Sequence, residues 1–163
     1  MRVIKDQKGF SLLELVVVAG IVALLAGISF RLVGHLHNAN IEKATQYLSN
    51  ALNKQQTRSM SRANKPYLYI YKLSGSYYYC LSEEDTYNPS TMGTNGMEIG
   101  AGFTIKYQYD GVPEQELTEG VILQIYYMKD GTFGSCPKTL KIVTSNSVKT
   151  IKFNSATGRH IVE

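Results

Sequence analysis

One apolar stretch near the start of the chain limits its fold more than any other feature. Residues 10–30 contain a single charged side chain, Glu14, in the sequence Phe-Ser-Leu-Leu-Glu-Leu-Val-Val-Val-Ala-Gly-Ile-Val-Ala-Leu-Leu-Ala-Gly-Ile-Ser-Phe. An α-helix of this length spans about 30 Å, which is the thickness of the hydrocarbon core of a bilayer. The sequence therefore predicts a transmembrane helix over residues 10–30.

The charges that flank this stretch predict its orientation. Segment 1–9 carries three basic residues and one acid, which favours a cytoplasmic N-terminus and places everything after Arg31 outside. An ordinary secretory signal peptide is the alternative, with an apolar region of only about 7–15 residues that ends in small residues of the Ala-x-Ala kind. The stretch here is longer, and Leu24 disrupts the most plausible cleavage site, after Ala26.

Glu14 is the residue that most requires a functional explanation. A charge at bilayer depth costs at least about 2.5–3.5 kcal/mol, so an acid at this depth is expected to have a function and a partner. Residues 5–14 read Lys-Asp-Gln-Lys-Gly-Phe-Ser-Leu-Leu-Glu. This segment resembles the prepilin cleavage and methylation motif of type IV pilins and type II secretion pseudopilins.

That resemblance implies a processing site. In this family a membrane-embedded aspartyl peptidase, the prepilin peptidase, cuts on the cytoplasmic side after the glycine and then N-methylates the new terminus. The resemblance implies a cut between Gly9 and Phe10, methylation of Phe10, and removal of residues 1–9 as a leader. Glu14 then becomes the fifth residue of the mature chain, where the family has its glutamate.

The chemistry of Glu14 is consistent with a role in assembly. Removal of the leader creates a cationic α-amino group on Phe10, and a carboxylate on a neighbouring helix can neutralise it in a low dielectric. Because hydrophobic attraction between helices is absent in a bilayer, such a polar pair can set their register. We therefore expect Glu14 to align each subunit on the preceding one; the alternative is that it pairs within its own chain.

The helix is expected to continue beyond the membrane over residues 31–65. Apolar residues recur in steps of three and four from Ile41 through Ala44, Tyr47/Leu48 and Ala51/Leu52, with polar residues between them. This spacing predicts one apolar stripe on a helix that packs against a globular head. The first proline after the stretch is Pro66, which predicts the end of a helix running from about residue 10 to 63.

Residues 66–163 have the pattern of a β-rich globular head. The dipeptide Ser74-Gly75 between two tyrosine-rich segments predicts a hairpin, and residues 83–100 predict an exposed insertion. One long helix followed by about seven strands predicts an α+β fold with the helix packed on an antiparallel sheet. The predicted strands are 67–73, 76–81, 103–109, 121–128, 139–144, 148–153 and 159–162.

The order of the last segments extends the resemblance. A strand ending in Lys129-Asp-Gly131, two strands over 139–153, and a Thr-Gly-Arg turn at 157–159 follow one another. This order resembles minor pseudopilin H of type II secretion and the minor pilins of fimbrial biogenesis. The resemblance implies a position near the tip of the filament, where the subunit starts assembly or contacts cargo.

Two cysteines, Cys80 and Cys136, lie beyond the membrane stretch. In an oxidising exterior a bond between them would close a long loop, worth roughly 4 kcal/mol in the chain-entropy model. Sequence does not determine whether the two residues meet, so the disulfide stays open. No Cys-x-x-Cys or nearby histidine indicates a metal site.

Nucleic-acid binding is the main alternative within the family. Some related minor pilins serve DNA uptake, and phosphate contacts need cations. Against it, loss of the leader lowers the formal charge from +4 to +2, and lysines on strands often serve to prevent sheet aggregation. The candidate DNA contacts are Lys138, Lys141, Lys149, Lys152 and Arg159.

No pattern in the chain indicates catalysis. His35 and His37 are two apart on a helix and point to different sides, residues 83–85 lack the spacing of a calcium loop, and no Gly-x-Ser-x-Gly occurs. We expect no enzyme activity, no cofactor and no metal.

The sequence thus predicts a minor pilin or pseudopilin, held in the cytoplasmic membrane with its head outside and then assembled into a pilus or pseudopilus. Its expected partners are prepilin peptidase, other pilins or pseudopilins and the inner-membrane assembly platform. A single-pass anchored enzyme or receptor is the alternative from another class.

Overall fold

The structure is a computed structural model that describes residues 12–61, 64–87 and 95–163, with the backbone alone for residues 26–38. The chain divides into two compact units, Met1–Leu36 and His37–Glu163. Gly9 and Phe10, at the predicted processing site, lie outside the described residues.

A single helix, α1, covers Leu12–Ser61. Its first stretch has apolar side chains on every side, with Leu12 83% exposed and Val18 still 51% exposed. The transmembrane helix predicted for residues 10–30 begins outside the described part of the chain. Among the described residues, no helix meets both the length and the apolarity needed to cross a membrane.

The later part of α1 carries the apolar stripe that its sequence predicts. Ile41, Ala44, Leu48 and Leu52 are each at most 1% exposed, whereas Tyr47 lies at the margin of the stripe with 36% exposure. Steps of three and four residues bring these side chains onto one face, and that face is buried in the head.

Ten strands follow in the described residues, all in the unit His37–Glu163. They form two antiparallel five-stranded sheets, which we call sheet A, with the order β3-β2-β1-β6-β7, and sheet B, with the order β10-β9-β8-β4-β5. The strands are β1 Tyr67–Leu73, β2 Ser76–Ser82, β3 Met97–Gly100, β4 Thr104–Gln108, β5 Gln115–Glu116, β6 Ile122–Tyr127, β7 Phe133–Ser135, β8 Thr139–Val143, β9 Val148–Asn154 and β10 Arg159–Val162.

The β1–β2 hairpin forms where its turn residues predict it. Leu73 pairs with Ser76, so Ser74 and Gly75 are the two loop residues, and both have positive φ, 51° and 82°. Two positive φ values in a two-residue loop match the right-handed twist of the strands that it joins. Gly75 adopts this conformation without a steric cost, because it has no Cβ.

One hydrophobic core joins the stripe of α1 to one face of each sheet. Leu48 and Leu52 belong to the same cluster of buried residues as Leu68 and Ile125 of sheet A and Ile142 of sheet B. Because side chains alternate along a strand, the other face of each sheet is turned away from this core. A second cluster, built on Tyr69, Tyr71 and Cys80, forms on that other face of sheet A.

The α+β class and the antiparallel head are confirmed, but three strands and the division into two sheets differ from the prediction. Segment 83–100 is not entirely an exposed insertion, because β3 at its end pairs with β2 and buries Ile99. The strands β5 and β7 have two and three residues. They are too short to show the alternation by which a strand is recognised.

Candidate functional site

Glu14 lies in the first turn of the described helix, between Leu13 and Leu15, which are 75% and 65% exposed. A charge at the centre of a bilayer costs about 2.5–3.5 kcal/mol, so a carboxylate at that depth is expected to be matched by an opposite charge or by hydrogen-bond donors.

The surface around Glu14 consists almost entirely of aliphatic side chains. All residues from 12 to 25 are exposed. An aliphatic surface of this extent normally marks contact with a lipid or with another protein. The exposed large side chains here are Leu12, Leu13, Leu15, Val16, Val17, Val18, Ile21, Val22, Leu24 and Leu25.

Three of the five candidate DNA contacts lie in ion pairs with carboxylates. Lys138 Nζ lies 3.0 Å from Asp110, and Lys152 Nζ lies 2.7 Å from Glu163. Lys141 Nζ lies 2.5 Å from Glu114, which is also 3.9 Å from Lys106. Pairing with carboxylates reduces the positive charge that these three lysines offer to phosphates.

The remaining two cations, Lys149 and Arg159, line different clefts of the described structure. Lys149 lines a cleft with Glu42 and Thr45, and Arg159 lines a second cleft with Ser49 and Asn53. The five candidate residues therefore do not all line one cleft.

The two cysteines are free thiols, and no disulfide joins them. Cys80 is buried beside Tyr69 and Tyr71 in the second cluster, whereas Cys136 packs on the main core. The two clusters lie on opposite faces of sheet A, so β2 holds the Cys80 side chain away from the main core. Burial raises the pKa of both thiols, that of Cys136 to about 11, which lowers the fraction of reactive thiolate at neutral pH.

Polar residues at the end of the α1 stripe form contacts that the sequence analysis missed. Gln55 is fully buried, and its Nε2 donates to the carbonyl oxygens of Pro66 and Ile125 at 2.9 Å and 2.6 Å. Ser59 Oγ donates to the carbonyl oxygen of Tyr127 at 2.7 Å. The sequence did indicate that these two residues face the head, because positions 55 and 59 continue the three-and-four spacing of Leu48 and Leu52.

Gln56, next to this stripe, connects two turns that lie far apart in the sequence. Its Nε2 donates to the carbonyl oxygen of Gly131 at 2.9 Å and to that of Gly158 at 3.2 Å. A Cβ at Gly158 would overlap the Gly131 carbonyl oxygen, so only glycine allows the two turns to meet. The Asp-Gly and Thr-Gly-Arg turns thus form one structural unit with α1.

The outer face of sheet A carries a cluster of packed tyrosines, which the sequence showed only as β-favouring residues. Tyr71 packs against Tyr78 and Tyr87 with ring centroids 5.8 Å and 5.1 Å apart. The Tyr69 hydroxyl donates to the Glu84 carbonyl oxygen at 2.7 Å and accepts from Gln124. Burial raises the pKa of Tyr69 and Tyr71, so their hydroxyls stay protonated.

Within the described residues, no group of three or more His, Cys, Asp or Glu side chains is placed to hold a metal ion. The side chains of His35 and His37 fall in the part of α1 whose side chains are not described. His160 lies on β10, where its Nε2 is 2.9 Å from Ser49 Oγ of α1. Burial lowers the pKa of His160.

Comparison with known families identifies the N-terminal segment. Residues 4–30 match the prokaryotic N-terminal methylation motif. Neither a curated protein nor a solved structure matches the chain.

The matched residues include Gly9, Phe10 and Glu14, on which the resemblance to prepilins was based. The matched segment, 27 of the 163 residues, supports the type IV pilin and pseudopilin family, whose N-terminal motif implies processing by prepilin peptidase and assembly with other pilins. The narrower resemblance to minor pseudopilin H is not confirmed.

Proposed function

We propose that this chain is a minor pilin or pseudopilin, a structural subunit with no catalytic activity of its own. The match of residues 4–30 to the N-terminal methylation motif carries the proposal. In it, prepilin peptidase cuts between Gly9 and Phe10 and methylates Phe10, and residues 10–30 hold the subunit in the cytoplasmic membrane until it joins a filament on the inner-membrane assembly platform. The head, outside the membrane, takes a position near the filament tip.

Glu14 has the central role in this proposal. After cleavage, the Phe10 ammonium of one subunit and the Glu14 carboxylate of its neighbour neutralise each other in a low-dielectric surrounding. Each group alone is costly among aliphatic side chains, so their pairing favours association and sets the register of the two helices. The exposed aliphatic residues on both sides of Glu14 support this role, because they leave the helix surface available to neighbouring helices.

Processing is tested by coexpression of the full chain with prepilin peptidase, followed by mass measurement of the membrane form. We expect loss of residues 1–9 and addition of one methyl group at Phe10, and we expect Gly9→Val to block both changes. A protein that keeps Met1 in the presence of active peptidase would instead indicate a permanently anchored enzyme or receptor.

Assembly is tested separately with Glu14→Val, which keeps the cleavage site. We expect normal processing and at least about tenfold less protein in purified filaments, since an unpaired ammonium in a low-dielectric site costs several kcal/mol. Glu14→Asp should recover part of the loss. The matched control is Glu42→Val, an exposed acid on the same helix. Equal incorporation of Glu14→Val and Glu42→Val would contradict the role of Glu14.

A further inference from the structure

The strand β10 ends sheet B and leaves one of its edges without a partner among the described residues. Its register shows which backbone groups face that edge. Glu163 exchanges two backbone hydrogen bonds with Thr150 of β9, at 2.8 Å and 2.9 Å. Because the direction of backbone groups alternates along a strand, Ile161 and Arg159 also face β9, and the N–H and C=O of His160 and Val162 face outward.

The side chains of β10 leave this edge accessible. Ile161 is 60% exposed and Val162 is 41% exposed. Two open clefts of about 390 and 310 Å³ run between β10 and α1 on the helix side. Natural edges are commonly protected by a bulge, a proline or charged side chains. The β10 register contains no bulge and no proline.

The sequence Arg159-His-Ile-Val-Glu163 is complementary to an antiparallel copy of itself. If His160 of one chain pairs with Val162 of the second, the outward backbone groups of both strands form four hydrogen bonds. Ile161 then lies opposite Ile161 of the other copy, and each Arg159 lies opposite Glu163. Opposite charges and apolar residues directly across an antiparallel pair are favourable.

We propose that β10 is a self-association edge, through which the sheets B of two copies of this chain join by antiparallel pairing of residues 159–163. Charge complementarity favours a second copy as the partner. A short strand with a basic residue at one end and an acidic residue at the other end places opposite charges across from each other only when its copy runs antiparallel to it. Both carboxylate oxygens of Glu163 contact Lys152 Nζ, at 2.9 Å and 2.7 Å, and each keeps a further lone pair that can accept from an Arg159 of the partner copy. The pairing requires neither processing nor a filament, and it goes beyond the proposed function.

Other sheet edges in the described residues support such pairing less well. The strands β5 and β7 have only two and three residues, and β7 is bridged to the neighbouring turn by the hydrogen bond from Phe133 N to the Ser155 carbonyl oxygen. β3 buries Ile99 and carries no basic residue to pair with Glu98. Of the edge strands in the described residues, only β10, taken together with Glu163 that follows it, combines exposed apolar side chains with opposite charges at its two ends.

A cysteine placed at the centre of the proposed pair tests it directly. In the antiparallel register, residue 161 faces its own copy in a pair without hydrogen bonds, where Cα atoms are about 4.5 Å apart and a disulfide can form. We expect Ile161→Cys in the full chain, in membranes under a mild oxidant, to give at least about tenfold more disulfide-linked homodimer than Val148→Cys. Val148 is a matched control, because it is 53% exposed on the same sheet.

The background of this experiment is Cys136→Ser, which removes the partly exposed thiol and keeps the buried Cys80. Equal cross-linking of Ile161→Cys and Val148→Cys would overturn the proposal. So would a cross-link from position 161 to a different protein in place of the homodimer.

A pair of charge reversals separates specific pairing from random collision. Arg159→Glu places acids at both ends of β10, and Glu163→Arg places bases at both ends, so each variant alone should lower the yield of Ile161→Cys dimer by about three- to tenfold. Coexpression of the two, with one chain carrying a size tag, should restore the cross-link between the unlike chains. Both side chains are exposed, so the variants should retain the fold.

Failure of the mixed pair to cross-link would contradict the register even if the homodimer forms. Because the readout is the dimer and not the N-terminus, the outcome is independent of cleavage after Gly9. Loss of processing with an intact cross-link would reject the proposed function alone, and the reverse result would reject the self-association edge alone.

Discussion

Residues 12–25 and residues 41–59 belong to one helix, but their side chains have opposite surroundings. In the first stretch every residue is exposed, including Leu24 at 72%. In the second stretch one stripe is buried in the head, with Leu48 at 1%, and the opposite face is polar and exposed. The arrangement of apolar residues around the helix, and not the helical backbone, decides which stretch is covered by the head.

This difference indicates what each stretch needs from its environment. A helix with one apolar stripe is satisfied by one packing partner, whereas a helix that is apolar all round must be surrounded. Polar residues on the helix also need partners that suit their surroundings. Gln55 and Ser59 lie on the buried stripe because carbonyl oxygens of the head accept their hydrogen bonds. Glu14 lies among exposed aliphatic residues, and we propose that its acceptor capacity is used by another subunit.

The largest expected effect compares one leucine from each stretch. Leu48→Ala leaves a cavity in the main core and should lower the free energy of unfolding of the head by about 2–5 kcal/mol. Leu24→Ala removes an exposed side chain and should change it by less than about 0.5 kcal/mol. Urea unfolding of the full chain in mild detergent, followed by the near-ultraviolet circular dichroism of the tyrosines, measures both. Similar losses for the two variants would mean that the stretches do not differ in the way described.

The parts of the fold that could be predicted from sequence are those with a local signal. The stripe from Ile41 to Leu52 has helical spacing, the Ser74-Gly75 turn has the residues that its φ values require, and the processing motif is a continuous segment. By contrast, β3 forms a strand because β2 offers it an edge, and nothing in Met97–Gly100 alone distinguishes it from a loop.

Long-range pairing explains the other differences. Lys138 meets Asp110 only because β4 and β8 are neighbours in sheet B, so the ion pairs that reduce the case for DNA binding could not be seen in the sequence. Cys80 faces the tyrosine side of sheet A because of the register in which β2 pairs with β1. The spacing of the two cysteines in the sequence does not reveal that register.

An intermediate effect is expected where a polar side chain belongs to the buried stripe. Gln55→Met keeps the volume but removes the donor to two buried carbonyl oxygens, which should cost about 1–3 kcal/mol of unfolding free energy. Gln46→Met, at an exposed position of the same helix, is the matched control and should cost less than about 0.5 kcal/mol. The same urea titration gives both values. A neutral Gln55→Met would show that the apolar stripe alone holds α1 on the head.

The smallest expected effect concerns the border of the packed stretch, where Ser49 meets His160. Burial lowers the pKa of His160 in the folded head below its ordinary value, so the unfolded chain binds a proton more readily than the folded one. Stability should therefore be fully present above about pH 6.5, the ordinary histidine pKa, and should fall as the pH drops below it.

Thermal unfolding of the full chain between about pH 5 and 8 measures this dependence on either side of the ordinary histidine pKa. His160→Gln should flatten the acidic part of the profile. Ser49→Ala should shift the whole curve but keep its slope, because burial rather than the Ser49 hydrogen bond lowers the pKa. If Ser49→Ala removed the slope as well, the hydrogen bond at 2.9 Å, and not burial by the packed stretch of α1, would be the origin of the pH sensitivity.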